Sequence, residues 1–508
     1  MERIYLGLEL GSTRIKAVTV DSSFRPVSSG GYTWASSYMD GIWSYPLDQV
    51  WEGLRAALAA IEYPEKVCCL GVSGMMHGYL AFDEDWNLLT PFRTWQNTIT
   101  AQAAQELTEL FGFNLPQRWS IAHLYQAVLN NESHIPRLAH ITTLAGYVHH
   151  ALTGENCLGI GDASGMFPID SKTLDYDEEM LEKLHELLRR KGVCLNPRTL
   201  LPRVLTAGSE AGHLSRAGAE LLGGRLPAGV PLAPPEGDAG TGMTATNAIA
   251  PGTGNVSAGT SIFAMVVLGK PLSRIYPEID MVTTPSGKPV AMVHCNNCTS
   301  DMNNWVQLFS QVLQLFGFVP DSGQLFTSLY QKSLEGNADC GGITVYNYTV
   351  GEPITGFDQG RPMVIRDPTQ KLTLENFLRA QLYSTVATLA AGMDILHQEQ
   401  VPIHCLMGHG GLFKTPEVGQ RYLAAATGSP VTVMEAAGEG GPYGMALLSA
   451  YRILGSGQTL EDFLKQQVFA DIQKLCLVPN PEDIAGFRTY LTRFLRGLPV
   501  EQTAVESM

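Results

Sequence analysis

Two turns of the sequence combine glycine with hydroxyl side chains. Residues 11–13 read Gly-Ser-Thr, and residues 259–261, 248 positions later, read Gly-Thr-Ser; apolar segments flank both turns. Backbone N–H groups and hydroxyls at such tips can bind phosphate oxygens. A single tip of this kind is more often only a solvated turn. The pair therefore indicates either phosphate binding or two ordinary turns.

An acidic residue stands in a glycine-rich segment just before the second turn. Asp238 lies within PEGDAGTG, residues 235–242, a composition that predicts a loop. A carboxylate there could take the proton of a substrate hydroxyl while the glycines let the backbone approach the substrate. The alternative is a Gly-Asp turn without a chemical role.

A histidine follows the end of a predicted strand. Residues 74–78, GMMHG, come after the apolar segment 67–72, and α/β sheets bind ligands at the loops that follow their strands. His77 could therefore hydrogen-bond a substrate hydroxyl, or it could be a structural histidine. Trp95 could likewise belong to the core or form the apolar wall of a binding site.

Better-known nucleotide motifs are missing from the sequence. The pattern GxxxxGK[ST] is absent, and residues 7–11, GLELG, lack the GxGxxG spacing of a dinucleotide fold. These observations disfavour a P-loop protein and a Rossmann dehydrogenase.

The two turns belong to two predicted β-hairpins. Residues 4–10 alternate apolar and other side chains, which predicts a half-buried strand, and residues 15–20 predict the returning strand. Residues 255–268 repeat this strand-turn-strand pattern. Because the chain has 508 residues and single cores stop growing at about 250–300 residues, we expect two domains of similar construction.

Helices and strands are predicted between and after the hairpins. The long segment 374–398 predicts an amphipathic helix that ends before Pro402. A helical extension without catalytic residues is predicted beyond about residue 456. The other predictions are helices at 47–61, 177–190, 416–426 and 441–454 and strands at 67–72 and 403–407.

Charge and hydropathy restrict the classes of partner. The chain has 34 basic and 49 acidic residues, a net charge of −15, and no basic run that could follow nucleic acid. No apolar run reaches the roughly 18 residues of a membrane span, and the first residues do not resemble a signal peptide. We therefore expect a cytoplasmic protein that binds neither nucleic acid nor membranes.

Taken in order, these motifs resemble the FGGY carbohydrate kinases, and more closely their pentulose and hexulose branch, which includes xylulokinase. The resemblance covers residues 4–452. Residues 6–13 are similar to the opening phosphate hairpin, GxDxGT, and residues 71–78 to the sugar-binding stretch GxSGQMHG. Residues 152–155 and 162–165 match the scaffold landmarks LTGE and DASG.

The resemblance implies an α/β fold of two actin-like (ribonuclease H-like) domains around a central cleft. Residues 1–247 would form a sugar-binding N-terminal domain. Residues 248–508 would form a nucleotide-binding C-terminal domain that includes the helical extension. The implied activity is transfer of the ATP γ-phosphate to a ketose hydroxyl, with a pentulose such as xylulose or ribulose as acceptor. A homodimer is expected from base rates.

The resemblance also implies residue roles. Asp238 would be the catalytic base and a sugar ligand, and Glu9 would hold Mg²⁺ through water. The sugar would contact Met76, His77, Trp95 and Asn97. ATP would bind at Gly11, Ser12, Thr13, Lys16, Gly259, Thr260, Ser261, Gly410 and Gly411.

Among the departures from the family pattern, three bear on catalysis. Glu9 replaces the opening aspartate, Asn97 stands where an acidic residue follows the tryptophan, and Ala425 stands where many members have aspartate. These departures motivate an alternative: a non-catalytic sugar or nucleotide sensor on the same fold.

Overall fold

A computed structural model describes residues 3–434, 440–472 and 474–508. The described chain forms two compact units. Unit 1 comprises the described residues of Met1–Ala250, Asp280–Val290 and Ala436–Ile472, and unit 2 those of Pro251–Ile279, Ala291–Glu435 and Gln473–Met508. The units are thus discontinuous, unlike the consecutive segments 1–247 and 248–508, because residues 440–472 pack with unit 1.

The structure alternates strands and helices along most of its length. The strands are β1 (Ile4–Leu10), β2 (Arg14–Val20), β3 (Pro26–Thr33), β4 (Ser37–Met39), β5 (Ile42–Ser44), β6 (Val67–Gly74), β7 (Leu80–Phe82), β8 (His140–Thr142), β9 (Cys157–Gly159), β10 (Ile169–Asp170), β11 (Asp175–Tyr176), β12 (Arg203–Leu205), β13 (Glu236–Gly237), β14 (Thr253–Ala258), β15 (Ile262–Val267), β16 (Asp280–Thr283), β17 (Pro289–Cys295), β18 (Thr344–Tyr346), β19 (Met363–Ile365), β20 (Cys405–His409), β21 (Val431–Met434) and β22 (Lys474–Leu477).

The helices follow the same chain order. They are α1 (Leu47–Ala59), α2 (Ala101–Phe111), α3 (Ser120–Leu129), α4 (Leu144–Thr153), α5 (Ile160–Ala163), α6 (Glu178–Arg190), α7 (Pro197–Leu200), α8 (Arg216–Leu221), α9 (Asp238–Ala245), α10 (Ser300–Leu315), α11 (Ser322–Ser333), α12 (Leu374–Gln398), α13 (Val418–Thr427), α14 (Gly441–Leu454), α15 (Leu460–Phe463) and α16 (Pro481–Ser507). Among the described residues, none of these helices has the length and apolar character that crossing a membrane requires.

The sheet of unit 1 brings three strand ends to one edge. Its strand order is β13-β6-β1-β2-β3, with β1 antiparallel to β2 and parallel to β6, and β13 parallel to β6. Leu10, Gly74 and Gly237 lie in register across the three parallel strands. The segments that follow β1, β6 and β13 therefore start side by side, as ligand-binding loops of α/β sheets do.

Strand β1 is buried on both faces, so the prediction of a half-buried strand is wrong. Tyr5 and Leu6 are both fully buried. Helix α14 covers one face at short range: a Cβ atom on Gly7 would lie 2.0 Å from the carbonyl oxygen of Pro442. A helix contributed from residues 441–454 could not be anticipated from the alternation within residues 4–10.

Unit 2 repeats the strand pattern of unit 1. Strand β14 is antiparallel to β15 and parallel to β20, and β20 is parallel to β21. A hairpin beside a parallel strand therefore opens both units, which confirms the prediction made from the repeated turns. Ser257 and His409 pair near the carboxyl ends of β14 and β20, so the turns after them start at one edge.

Helix α12 matches the predicted segment but not its predicted amphipathic character. Most of its side chains are buried, including polar ones such as Arg379 and Gln381. It packs against α11, α13 and α16 and also against β15. A helix covered on several sides has no wide solvent-facing stripe. The predicted C-terminal helical extension is confirmed by α15 and α16.

Candidate active site

Asp238 is the first residue of α9 and follows β13 directly. The prediction of a glycine-rich loop at this residue is therefore wrong: a two-residue strand and a helix replace it. The backbone N–H of Met76 donates to Asp238 Oδ1 at 3.3 Å. A carboxylate at this position also interacts favourably with the N-terminal end of the helix dipole.

The surroundings of Asp238 oppose its ionisation only in part. Burial raises its pKa to about 6, while backbone hydrogen bonds from Met76, Ala239 and its own N–H limit the rise. At neutral pH the carboxylate form dominates, and its proton affinity is higher than that of an ordinary aspartate. Such a pKa suits a general base that works near pH 7.

His77 follows β6 in a strained turn. Its φ of 67° lies in the left-handed region, which costs a residue with a side chain roughly 1–2 kcal/mol. The ring is buried, with Nδ1 3.0 Å from the carbonyl oxygen of Gly165. That contact places the ring proton on Nδ1, since a carbonyl can only accept. The ring also stacks on Trp119 at 6.0 Å between centroids.

Gly165 makes room for the sugar-binding stretch predicted from the sequence. A Cβ atom on this glycine would lie 2.8 Å from His77 Nδ1 and 2.9 Å from Met76 Cε. The DASG landmark, predicted to belong to the scaffold, therefore lies against two of the predicted sugar ligands.

Glu9 lies on β1, one residue before its end, and pairs across the hairpin with Lys16. Burial raises the pKa of Glu9 to about 7; Lys16 opposes the rise and the charge of Asp238 adds to it. A Cβ atom on Gly441 would lie 2.3 Å from Glu9 Oε1. Glycine at the start of α14 thus leaves room for the glutamate side chain, which is longer than the aspartate of the family pattern.

The first tip, residues 11–13, is tied to unit 1 through its carbonyl groups. Trp34 Nε1 donates to the Gly11 oxygen and the Tyr45 hydroxyl to the Ser12 oxygen, each at 2.7 Å. The Ser12 and Thr13 side chains are exposed. The tip is therefore fixed while its hydroxyls face solvent.

Trp95 and Asn97 differ in their exposure. The Trp95 side chain is 38% exposed, whereas Asn97 is buried. The Asn97 amide accepts the N–H of Trp43 at 2.8 Å and donates to the carbonyls of Trp43 and Thr94 at 2.8 and 2.9 Å. One donated bond thus goes to β5 and the other to Thr94, and the role of Asn97 as a sugar ligand stays a prediction.

In unit 2 the second tip, residues 259–261, lies beside the N-terminus of α10. The Thr299 hydroxyl donates to the Gly259 oxygen at 2.7 Å, and the N–H of Cys298 donates to the Thr260 oxygen at 2.9 Å. These bonds hold the tip at the edge of the sheet where β14 ends.

The glycine loop after β20 reaches the same edge. Gly410 has a φ of 102°, and a Cβ atom on it would lie 2.4 Å from the oxygen of Ala258, the last residue of β14. At Gly411 the corresponding distance to that oxygen is 3.9 Å. The loop therefore needs glycine at residue 410, and at residue 411 no backbone clash requires it.

Two family models match the chain. The FGGY family of carbohydrate kinases, N-terminal domain, matches residues 4–244, and the C-terminal domain of the same family matches residues 254–453. The chain belongs to the FGGY family of carbohydrate kinases. It is accordingly a phosphotransferase that acts on a carbohydrate, and family membership supports ATP as the donor. Its fold is the two-domain FGGY kinase fold with mixed α/β sheets, as predicted.

Individual relatives of this FGGY kinase differ in their acceptors. A xylulose kinase from Haemophilus influenzae is 23% identical over 472 residues, covering 86% of this chain and 91% of that protein. A glycerol kinase from Thermococcus gammatolerans is 26% identical over 291 residues, 53% of this chain and 55% of that protein. The structure of a xylulose kinase from Rhodospirillum rubrum superimposes with a TM-score of 0.79 at 18% identity, covering 98% of this chain and all of that one.

Reasoning from the sequence missed several buried residues around the start of α9. Thr241 lies one turn after Asp238, and its hydroxyl is 3.0 Å from that of Ser73 on β6. Glu236 and Asp162 are buried near the start of α9. Their acidic character in apolar surroundings was the available signal, but no local pattern indicated which elements would enclose them.

Proposed function

We propose that this kinase transfers the γ-phosphate of ATP to a hydroxyl of a ketose, with a pentulose of the xylulose or ribulose type as the expected acceptor. The observation that carries the proposal is the placement of Asp238. Its carboxylate begins α9 and accepts the Met76 N–H, and residue 77 follows at once. Asp238 and two of the predicted sugar ligands, Met76 and His77, thus follow strands that end at one sheet edge.

In the proposed reaction Asp238 accepts the proton of the sugar hydroxyl. The hydroxyl oxygen forms a bond to the γ-phosphorus as the bond from that phosphorus to the β,γ-bridging oxygen breaks. ADP leaves, and protonated Asp238 then returns its proton to solvent. A pKa of about 6 supports both steps, since the base is mostly ionised at pH 7 and still takes up a proton readily.

The sugar would bind at Met76, His77 and Trp95. With its proton on Nδ1, the His77 ring has its acceptor at the other ring nitrogen, and a sugar hydroxyl is a donor of the kind that such a nitrogen accepts. The exposed face of Trp95 suits the apolar face of a sugar. Asn97 would act on the sugar chiefly by holding this segment against β5.

The nucleotide would bind through the two tips and the glycine loop. In unit 1 these are Gly11, Ser12 and Thr13 with Lys16, and in unit 2 Gly259, Thr260 and Ser261 with Gly410 and Gly411. Exposed hydroxyls, backbone N–H groups and one ammonium group match the needs of a polyphosphate. The space left by Gly410 and Gly411 suits close approach of a nucleotide to the backbone.

The surroundings of Glu9 fit a magnesium ion held through water. Mg²⁺ prefers oxygen ligands and keeps several waters beside one or two carboxylates, and Glu9 interacts electrostatically with Asp238. When bound, Mg²⁺ would neutralise the charge of the phosphates. Glu9, which packs against Gly441, would orient the water ligands of the magnesium ion.

A pentulose acceptor is supported by the fraction of each relative that the chain matches. The match to the xylulose kinase spans nine-tenths of that protein, whereas the match to the glycerol kinase spans about half of it. Stereochemistry is left to experiment because one hydroxyl orientation can change binding strongly.

The test is coupled ADP release with MgATP over a panel of ketopentoses, ketohexoses, polyols and aldonates. The same panel is run with Asp238→Ala and without sugar. We expect turnover on a ketopentose and a loss of at least about 100-fold in the variant, as for removal of a general base. Turnover on a polyol or aldonate alone would overturn the ketose assignment. ATP binding without turnover on any acceptor would favour the sensor.

A further inference from the structure

A second pair of carboxyl groups lies next to the strand that leads into Asp238. Glu236 is on β13, two residues before the base, and Asp162 is on α5. Their side chains are 1% and 0% exposed. Neither group takes part in the reaction steps proposed above, so their burial needs a separate explanation.

Glu236 accepts hydrogen bonds from the first turn of α5. Its Oε1 accepts the N–H of Gly161 at 3.3 Å and its Oε2 accepts the N–H of Asp162 at 3.0 Å. Cβ atoms on Gly159 and Gly161 would lie 2.2 and 2.4 Å from these oxygens, so glycines make the space for the group. Because both oxygens accept from N–H donors, the ionised form is favoured.

Asp162 has a different set of partners. The Thr143 hydroxyl donates to Oδ2 at 2.6 Å and itself accepts the Gly146 N–H at 3.1 Å. Oδ1 is buried without a partner among the described residues. It points towards β13, since a Cβ atom on Gly237 would lie 3.3 Å from it. An ionised oxygen in that position would be costly.

We propose that Asp162 is protonated in the folded kinase beside an ionised Glu236, and that this pair positions Asp238 while adding only one negative charge to its surroundings. Glu236 caps α5 and thereby fixes the end of β13, from which α9 and Asp238 continue. The second half of this proposal rests on the proposed function of Asp238. The protonation of Asp162 does not.

The titratable groups around the pair disfavour two adjacent negative charges. Burial raises the pKa of both carboxyl groups; the charge of Asp238 adds to the rise at Asp162, whereas backbone N–H groups of residues 161, 162 and 237 oppose the rise at Glu236. Tyr176 also faces Asp162, and burial raises the pKa of its phenol. These neighbours are acidic, so none of them would stabilise two adjacent carboxylates.

The first experiment tests the proton on Asp162. Infrared spectra of the full chain, labelled with ¹³C at its aspartate carboxyl groups, are recorded at pH 7 for the parent and for Asp162→Asn. We expect an isotope-shifted band of a protonated acid in the parent that the variant lacks. A parent without the band would overturn the proposal even if the variant failed to fold.

Thermal unfolding gives an independent readout. An acid with a raised folded pKa loses stability as pH rises from its unfolded pKa to its folded one. Asp162→Asn removes this loss, so its Tm relative to the parent should increase by at least about 2 °C between pH 6.5 and pH 8.5. Parallel Tm curves would contradict the proposal.

The positioning role is tested by paired amide variants on the active acceptor. Glu236→Gln replaces one acceptor oxygen with a donor that opposes an N–H, and kcat should fall at least about tenfold. Asp162→Asn mimics the protonated acid, so kcat should stay within about threefold and the acid limb of kcat/KM should stay near the same pH. If Asp162 were ionised, the variant would shift that limb to lower pH.

A loss of kcat in Glu236→Gln together with a nearly unchanged kcat in Asp162→Asn would support the pair as positioning residues. An unchanged kcat in Glu236→Gln, or an equal loss in Asp162→Asn, would overturn the positioning role. If the parent has no activity on any acceptor, the proposed function fails instead, while the infrared and Tm measurements still decide the protonation of Asp162.

Discussion

At the scale of single residues, Asp238 shows how two opposing effects set the chemistry of one carboxyl group. Burial disfavours its charge, and the N–H donors of residue 76 and of its own helical turn favour it. The balance leaves the pKa at about 6, between an ordinary aspartate and a fully buried one. The helix start therefore matters as much as the residue type.

This balance predicts a pH profile. The base must be ionised to accept a proton, so kcat/KM should be constant above about pH 7 and fall towards tenfold per pH unit below the pKa of about 6. Initial rates from pH 5 to 8 with the active acceptor and saturating MgATP measure this. The residual rate of Asp238→Ala should lack the fall, and a parent profile that stays flat to pH 5 would exclude Asp238 as the base.

At the scale of elements, the carboxyl ends of parallel strands place the functional segments in each unit. In unit 1 the residues after β1, β6 and β13 start at one edge. In unit 2 the residues after β14 and β20 do the same. Loop geometry at these edges is set by backbone contacts, most tightly where Gly410 passes Ala258.

The glycine loop provides a matched pair of variants. Gly410→Ala should lower the free energy of unfolding by about 1–3 kcal/mol, because its φ is positive and the new Cβ meets a backbone oxygen. Gly411→Ala should change it by less than about 1 kcal/mol, since its Cβ has room in the protein. Denaturant unfolding measures both, and equal losses would show that the loop does not have this geometry.

At the scale of the whole molecule, several carboxyl groups and histidines are buried, and burial shifts their pKa values. Burial raises the pKa of Glu9 and Glu352 to about 7 and that of Asp162 to about 8. Burial lowers the pKa of buried histidines, as for His149, to about 4. The homodimer and the cytoplasmic location stay predictions.

These shifts predict how stability depends on pH. The buried carboxyl groups stabilise the fold relative to high pH, and this contribution is lost as pH rises from about 4 to about 8. The histidines act oppositely, but only below their unfolded pKa of about 6.5. Between pH 6.5 and 8.5 the buried carboxyl groups are joined, near the upper end, by buried thiols such as Cys298 and Cys340, whose pKa burial also raises. Both effects have the same sign, so Tm should fall as pH rises. Calorimetry at constant ionic strength checks this, and a rising Tm would contradict it.

Local features of the sequence determined the elements and the kinship. Apolar alternation and turn residues predicted both hairpins, the segments now seen as α1, α6, α12 and α14, and the resemblance to FGGY kinases. Such patterns depend on neighbours within a few residues, so they can be recognised without knowing how the elements pack. Strand β20 was predicted two residues early because its register depends on β14, where Thr253 pairs with Cys405.

Only the tertiary structure decided what each functional side chain contacts. The burial of β1 comes from α14, the partners of Asn97 come from β5, and the environment of Asp162 comes from β13 and α4. These contacts join residues tens to hundreds of positions apart along the chain. Because burial and hydrogen bonding set protonation, the chemistry of these carboxyl groups depended on the fold and could not be predicted from residue type and spacing.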